Sequence, residues 1–413
     1  MREMKDSGVE WIGEIPQEWS LRRLRFLCNI TTGNMDTQDN DPEGQYPFYV
    51  RSPIVEHSNN YTFDNEAVLM AGDGVGAGKV FHYVNGKYGC HQRVYSMSDF
   101  NEVVGKYLYY YLQENFYKKI EESNAKSTVD SVRLPMLKDF PVVFPDVYQQ
   151  KEIVSYLNSK CANIDEVIKK QQTIIEKLKE YKLSIITEKV SNGLNPCVST
   201  KYSGNEFIGS IPSHWKCAKI KNVSIVVTDG AHVSPETENG VYDFISTVNV
   251  EQDHIDFDNC LKTTESSYQY LVSTGCRPLS GDVLISKDGS VGRTAIVNTD
   301  RDFVVSSSLV IIRPKIEMII SEYLNFFLQS AFVQETLLML MHGAGLRRVS
   351  VNKNANLPVL LPPIEEQKDI VKYLEKKCSD IEKDITKRRK IVEELFMYKK
   401  SIIFEVVTGK KEI

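Results

Sequence analysis

The chain has 413 residues, 25% charged and 42% hydrophobic, with a formal net charge of −5, the profile of a soluble protein of two or three domains with sizeable cores. Its longest apolar stretches, Val304 to Ile312 and Leu337 to Met341, fall far short of the roughly 20 residues a bilayer crossing needs, and the charged start MREMKDSGVEW has no apolar signal region. Eight cysteines form no C-x-x-C pair, which argues against a zinc ribbon or a thioredoxin-type site and for a reducing cytoplasm, while the mild acidity counts at first sight against a nucleic-acid partner.

The first motif in chain order is also the first sign of a duplication. Ser7, Gly8, Ile12, Gly13, Ile15, Pro16 and Trp19 recur as Ser203, Gly204, Ile208, Gly209, Ile211, Pro212 and Trp215 at a constant offset of 196. FPVVFPDVYQQKEIVSYLNSKCANID (140–165) aligns with LPVLLPPIEEQKDIVKYLEKKCSDIE (357–382) at an offset of 217, and YKLSII (181–186) aligns with YKKSII (398–403) at the same offset. Between these blocks the two copies barely resemble each other. Each half therefore has a constant frame, which holds something fixed, and a variable centre, free to contact something different.

The centres, residues 20–146 and 216–362, read as mixed α/β. In the first, Val68 to Ala71 and Lys79 to Tyr83 are predicted strands around the turn GDGVGAGK; in the second, Asp282 to Ser286 and Arg293 to Val297 flank KDGSVG. A basic residue leaves each turn, Lys79 or Arg293. A strand-like run follows (Arg93 to Met97; Val304 to Ile312), then an aromatic-rich helix, GKYLYYYLQENFY or SEYLNFFLQSAFV, whose rings recur at helical spacing and so belong to a core.

No catalytic motif survives inspection. GDGVGAGKV has Asp73 where a P-loop needs its first glycine and Val80 where it needs Ser or Thr. Asn195-Pro196-Cys197-Val198 lacks the residues of an amino-methyltransferase loop, and the seven histidines form no ligand spacing, so no metal site is expected. The centres read as recognition modules. If they read nucleic acid, Asn, Gln and Arg suit base edges, whereas Ser, Thr and Lys mostly hold the backbone. This singles out Lys79, His91, Gln92, Arg93, Ser127, Thr128 and Arg133 in the first centre, and Arg293, Ser307, Ser308, Arg347 and Arg348 in the second. Asp73-Gly74 and Asp288-Gly289 read as turn-formers.

After Pro145, and again after Pro362-Pro363, proline stops and helix formers take over. Leu157, Cys161, Ile164, Ile168, Gln171, Ile175, Leu178, Lys182 and Ile185 follow a strict 4-3 spacing; Leu374, Cys378, Ile381, Ile385, Arg388, Val392, Leu395, Lys399 and Ile402 repeat it position for position. A 3.5-residue period held this long marks a coiled-coil seam. Each helix spans roughly 65 Å at about 1.5 Å per residue. The two are expected to pack on each other, antiparallel, about a pseudo-two-fold axis. The predicted fold class is thus α+β, with domains at 1–146 and 197–362 separated by long helices at 147–196 and 363–413.

SGVEWIGEIPQEW with its echo SGNEFIGSIPSHW, the PPIEEQKDIVKYLEKKCSDIE block with its echo, and the repeated order of frame, centre and helix resemble the specificity subunit of type I restriction-modification enzymes. One departure is Asp146-Val147-Tyr148-Gln149-Gln150 in the first copy, where the second has the more typical Pro363-Ile364-Glu365-Glu366-Gln367. The resemblance implies a non-catalytic subunit whose two target-recognition domains each read half of a bipartite site on double-stranded DNA. It also implies a helical platform for two DNA methyltransferase subunits, which a restriction and translocation subunit joins. No cofactor is expected in this chain; S-adenosylmethionine, ATP and magnesium would belong to those partners.

Half-site centres about 10 bp apart, one helical turn, would suit two modules reading one face of the duplex. A coiled-coil scaffold whose centres bind proteins is the alternative, and a self-sufficient methyltransferase a third reading. Residues 20–146 and 216–362 each hold 13 basic and 16 acidic side chains, so the acidity lies in the centres.

Overall fold

The computed structural model describes residues 2–123, 131–341 and 348–413. The chain forms two compact units, Met1–Gln172 with Arg389–Ile413, and Thr173–Arg388. Both boundaries fall inside the long helices, so each unit contains part of each helix. Among the described residues no helix is long and apolar enough to cross a membrane, and the eight cysteines are unpaired.

In the first unit the frame begins with an antiparallel pair, Met4–Asp6 on Glu14–Pro16, and Ser20–Arg23 pairs with Pro141–Phe144 at the other end of the centre. Between them lies a six-stranded sheet in the order Asn29–Thr32, Val94–Ser98, Phe63–Ala71, Phe81–Cys90, Tyr46–Tyr49, Glu56–Ser58. The expected hairpin is present but longer than its apolar core indicated. The helix Gly105–Ser123 places Tyr107, Leu108, Tyr111, Leu112 and Phe116 in a core with Val68, Met70, Phe81 and Met97 of the sheet. These rings are packed, as their spacing predicts. Ile153, Leu157 and Cys161 from the start of the first long helix (Val147–Asn192) enter the same core, as do Ile402, Ile403, Val406 and Val407 from the end of the second (Ile364–Val407). Full burial of one such side chain contributes about 1.5–3 kcal/mol.

The second unit repeats this plan. Thr200–Tyr202 pairs with Ser210–Pro212, and Lys216–Lys219 with Pro358–Leu361. Its larger sheet has the order Ser224–Asp229, Leu309–Pro314, Val283–Ser286, Thr294–Ile296, matching the first four strands of the other unit. The equivalents of the remaining two strands, Leu261–Thr263 and Tyr242–Ile245, form a separate three-stranded sheet with Phe303–Val305, which pairs parallel to Tyr242–Ile245 as the end of Phe81–Cys90 does to Tyr46–Tyr49. The core takes Ile175, Ile185, Ile186 and Val190 from the first long helix and Ile370, Leu374, Cys378, Ile381 and Ile385 from the second.

Two predicted elements are broken in the structure. The run Val304 to Ile312 is two strands in different sheets, interrupted at Ser306 to Ser308, where the Ser306 and Ser308 hydroxyls bond each other and Leu309 N–H closes a turn on the Ser306 carbonyl. Local serine hydrogen bonds compete with the sheet ladder. The second aromatic helix is likewise broken, into Ser321–Gln329 and Ala331–Leu340, at Ser330, whose hydroxyl donates to the Phe327 carbonyl at 2.6 Å.

A buried glutamine ties each long helix to its own centre. The Gln150 carboxamide donates to the Glu102 and Pro145 carbonyls, both at 2.9 Å, and accepts from Val104 N–H at 2.7 Å. Gln367 does the same with Met318, Pro362 and Ile320, at 2.9, 2.9 and 3.0 Å. This satisfies backbone groups that would otherwise be orphaned at two element ends.

Within the second unit the helix segments run antiparallel: Lys182 meets Glu382 at 2.9 Å, and one pair of turns further on the Lys189 ammonium lies 5.9 Å from the Tyr373 ring centre. Within the first unit Lys399 meets Asp165 at 2.7 Å. Leu157, Cys161, Ile164, Ile168, Ile175, Ile185, Leu374, Cys378, Ile381, Ile385 and Ile402 are buried, and Leu178, Val392 and Leu395 half-buried.

Candidate nucleic-acid interface

The hairpin turn of each centre is clamped between two other segments by the main chain. In the first unit Gly72 N–H donates to the Arg93 carbonyl at 2.9 Å, and Val132 N–H donates to the Gly72 carbonyl at 2.8 Å. In the second, Lys287 N–H donates to the Ser308 carbonyl at 2.8 Å, and Val349 N–H to the Lys287 carbonyl at 2.9 Å. Asp73 bridges to Ser131 and Asp288 to Arg348, again in parallel fashion between the copies. Close approach fixes a glycine beside each site: a Cβ on Gly33 would lie 1.9 Å from the Cys90 carbonyl oxygen, and one on Gly230 2.0 Å from that of Val305.

These bonds define positional equivalents, of which the sequence displays only those within the turn itself. Gly72 matches Lys287, Asp73 matches Asp288, Arg93 matches Ser308 and Ser131 matches Arg348. Gln92 and Arg93 in one unit, and Ser307 and Ser308 in the other, therefore occupy the same place. In the first unit Thr32, Asp73, Gln92, Arg93, Tyr95 and Ser131 line an open cavity of about 290 Å³. In the second, the Lys287 side chain is buried there, its Nζ 2.9 Å from Asp229 Oδ2.

The charges around Asp73 are arranged tightly. Arg51 Nη1 donates to its Oδ1 at 3.0 Å and Arg93 Nη1 donates to its Oδ2. Burial pushes this carboxyl up, but the hydrogen bonds from Arg93 and Arg51 outweigh it and hold the group below the usual carboxylate range. Arg93 itself is 62% exposed. In the second unit Arg348 Nε lies 3.1 Å from Asp288 Oδ1, with Arg348 51% exposed.

The other sequence candidates divide clearly. Gln92 is exposed and donates to Asp36 Oδ2 at 3.1 Å; Arg133 is exposed at the start of the short helix Leu134–Lys138. Ser307 and Ser308 are half-buried, and Ser308 Oγ accepts from Thr247 N–H at 3.1 Å. His91 must be withdrawn as a reader: it is 2% exposed, with Nδ1 accepting from Arg93 N–H at 3.0 Å and Nε2 3.4 Å from Asp36 Oδ1. Lys79 turns its ammonium to the Tyr117 ring at 4.9 Å, and Arg293 turns to the Val250 carbonyl at 3.3 Å, so both basic residues leaving the turns face their own modules. Ser127, Thr128 and Arg347 lie outside the described residues. Sequence reading missed Arg51, which is 22 positions from Asp73 and carries no local signal, and it treated Asp73 and Asp288 as turn residues only. The signal that could have found the aspartates is their identical placement on two otherwise diverged turns. Among the described residues no three His, Cys, Asp or Glu side chains converge as a metal-binding group.

Two unlike centres, each presenting a polar edge from the same point of a repeated fold and each held in a repeated frame, make this a two-module protein of the recognition type. The family of the type I restriction modification DNA specificity domain matches residues 16–180 and 212–391. The chain belongs to that family, with two copies of the domain. It is 25% identical over 387 residues to the type I restriction enzyme EcoDI specificity subunit of Escherichia coli, covering 88% of this chain and 82% of that one. It is also 25% identical over 429 residues to the MjaVIII specificity subunit of Methanocaldococcus jannaschii, covering 96% and 93%. A chain solved in work on complex assembly and conformational transition of the type I restriction-modification system shares the fold, with a TM-score of 0.68 and 15% identity over 96% of this chain and 99% of that one.

Proposed function

We propose that the chain is the DNA-recognition subunit of a type I restriction-modification complex and that each centre reads one half of a bipartite site. The observation that carries the reading is an exposed arginine beside the hairpin turn of both centres, Arg93 with Gln92 on one flank in the first and Arg348 on the opposite flank in the second. Arginine and glutamine are suited to paired hydrogen bonds with guanine and adenine edges in the major groove. Different side chains at equivalent points fit two unlike half-sites. As a specificity component the chain recognises and does not modify. S-adenosylmethionine, ATP and magnesium belong in this reading to methyltransferase and restriction subunits.

The long helices serve as an antiparallel coiled coil that sets the unread gap between half-sites. Support comes from the buried 4-3 seam and from the matched pairs Lys182 with Glu382 and Lys399 with Asp165. Tyr181 and Tyr398 hold equivalent positions on the two helices and are 56% and 51% exposed. They give each methyltransferase subunit the same apolar contact on this platform.

The test is co-purification of the full-length chain with type I methyltransferase subunits, followed by a mobility shift on duplex DNA. A ternary complex is expected. Failure both to retain methyltransferase and to shift DNA would favour the protein-binding scaffold.

A further inference from the structure

The aspartate at each hairpin turn holds an arginine, and the arginine reaches it from opposite sides in the two units. In the first, Asp73 pairs with Arg93, which stands where the second unit has Ser308. In the second, Asp288 forms an ion pair, without hydrogen-bond geometry, with Arg348, which stands where the first has Ser131. The centres have lost nearly all likeness in sequence, yet the aspartate is kept and an arginine supplied from whichever flanking segment carries one. Arg51 adds a second cation on Asp73. A turn-former alone needs no such partner.

We propose that Asp73 and Asp288 are positioning residues for base readout, each orienting the guanidinium of its arginine and partly cancelling its charge. The inference rests on the DNA-reading function proposed above. A guanidinium has five N–H donors, so the carboxylate occupies one edge and leaves the others for a base. Holding the side chain in place beforehand lowers the cost of ordering it on binding. The carboxylate also repels phosphates, which weakens attraction to sequences that offer no matching base. At neutral pH Asp73 is ionised, as its two arginine partners require.

The experiment uses the full chain in complex with its methyltransferase subunits and, as probe, a library of randomised DNA duplexes whose bound fraction is sequenced. The unaltered complex should select a bipartite motif. Asp73→Asn should relax base preference in one half only, lowering selectivity there about tenfold, while affinity for a fixed random duplex rises. Asp288→Asn should relax the other half, and Asp73→Glu should retain most of the selectivity. In a chain already carrying Arg51→Gln and Arg93→Gln, adding Asp73→Asn should change base selectivity no further, while affinity for the fixed random duplex still rises.

Unchanged selection by Asp73→Asn, or an equal loss in that double-arginine background, would overturn the positioning role. Should Asp73→Asn fail to fold, Arg93→Gln alone decides: it must relax the same half, and intact selection would overturn the proposal. No motif selected by the unaltered complex would instead overturn the DNA-reading function itself, visible before any variant is compared.

Discussion

Lys182 of the first long helix donates to Glu382 of the second at 2.9 Å. Lys399 and Asp165, which stand 217 positions on from Lys182 and 217 positions before Glu382, form the matching pair at 2.7 Å. The two lysines share the seam with the polar positions Gln171 and Arg388, and each lysine is answered by an acid on the facing helix. Polar seam positions specify register more than they add stability. Lys182→Glu, which sets like charges together, should lower stability by about 1 kcal/mol, and Lys182→Glu with Glu382→Lys should restore it. Thermal unfolding of the single and double variants checks this; no recovery in the double variant would break the assigned register.

Tyr107 joins distant parts of the first unit. Its buried hydroxyl lies 2.9 Å from both the Val143 and the Val407 carbonyl oxygens, while Tyr323 in the second unit donates to the Val190 carbonyl at 3.1 Å. Each pins the end of the long helix that comes from the other repeat. Tyr107→Phe should cost about 1–3 kcal/mol by removing the hydroxyl donor from a buried carbonyl, and Tyr323→Phe a similar amount. Hydrogen exchange should localise the loss to residues 402–408 in one case and 186–191 in the other.

Glu114 gives the first unit a pH dependence. Burial raises its carboxyl to about 7, against the pull of Lys400, Lys118 and Lys399. A carboxyl raised in the folded state binds more protons than in the unfolded chain between about 4.5 and about 7. Its contribution is therefore fully present at lower pH and is lost as pH rises through about 7. Glu114→Gln should raise the unfolding temperature at pH 8, by up to about 3 kcal/mol of stability, and leave it nearly unchanged at pH 4. Equal effects at both values would contradict the shift.

The duplication, the long helices and the hairpins were legible because each rests on local pattern: repeated motifs, a 3.5-residue period, glycine-rich turns between apolar runs. The serine breaks at Ser306 to Ser308 and at Ser330 were not, since a short polar interruption inside an apolar run is decided by which sheet or core each side joins. Among site residues, Gln92, Arg93 and Arg348 could be found by type and position. The burial of His91 is not legible because it follows from pairing with Met35 and Tyr49, far off in sequence, and Arg51 is hidden for the same reason. The role of Asp73 needed three segments brought together by the sheet.

The charge distribution predicts weak DNA binding by the lone chain. Each centre has 13 basic and 16 acidic side chains, whereas segments 147–197 and 363–413 each carry two more basic than acidic residues. Few phosphates are neutralised, so affinity for DNA should be low and should fall little with added salt. Adding methyltransferase subunits should raise affinity and steepen the salt dependence together. Tight, salt-resistant binding by the isolated chain would contradict this.

The modularity of two centres reading separate half-sites from one frame is what the proposed function turns on. Its most direct test is methylome sequencing of a host carrying the complete system, before and after residues 216–362 are exchanged for the corresponding centre of a relative. A bipartite methylated sequence is expected, in which the exchange replaces one half and leaves the other half and the gap intact. A change in both halves, or a methylated sequence without two parts, would contradict it.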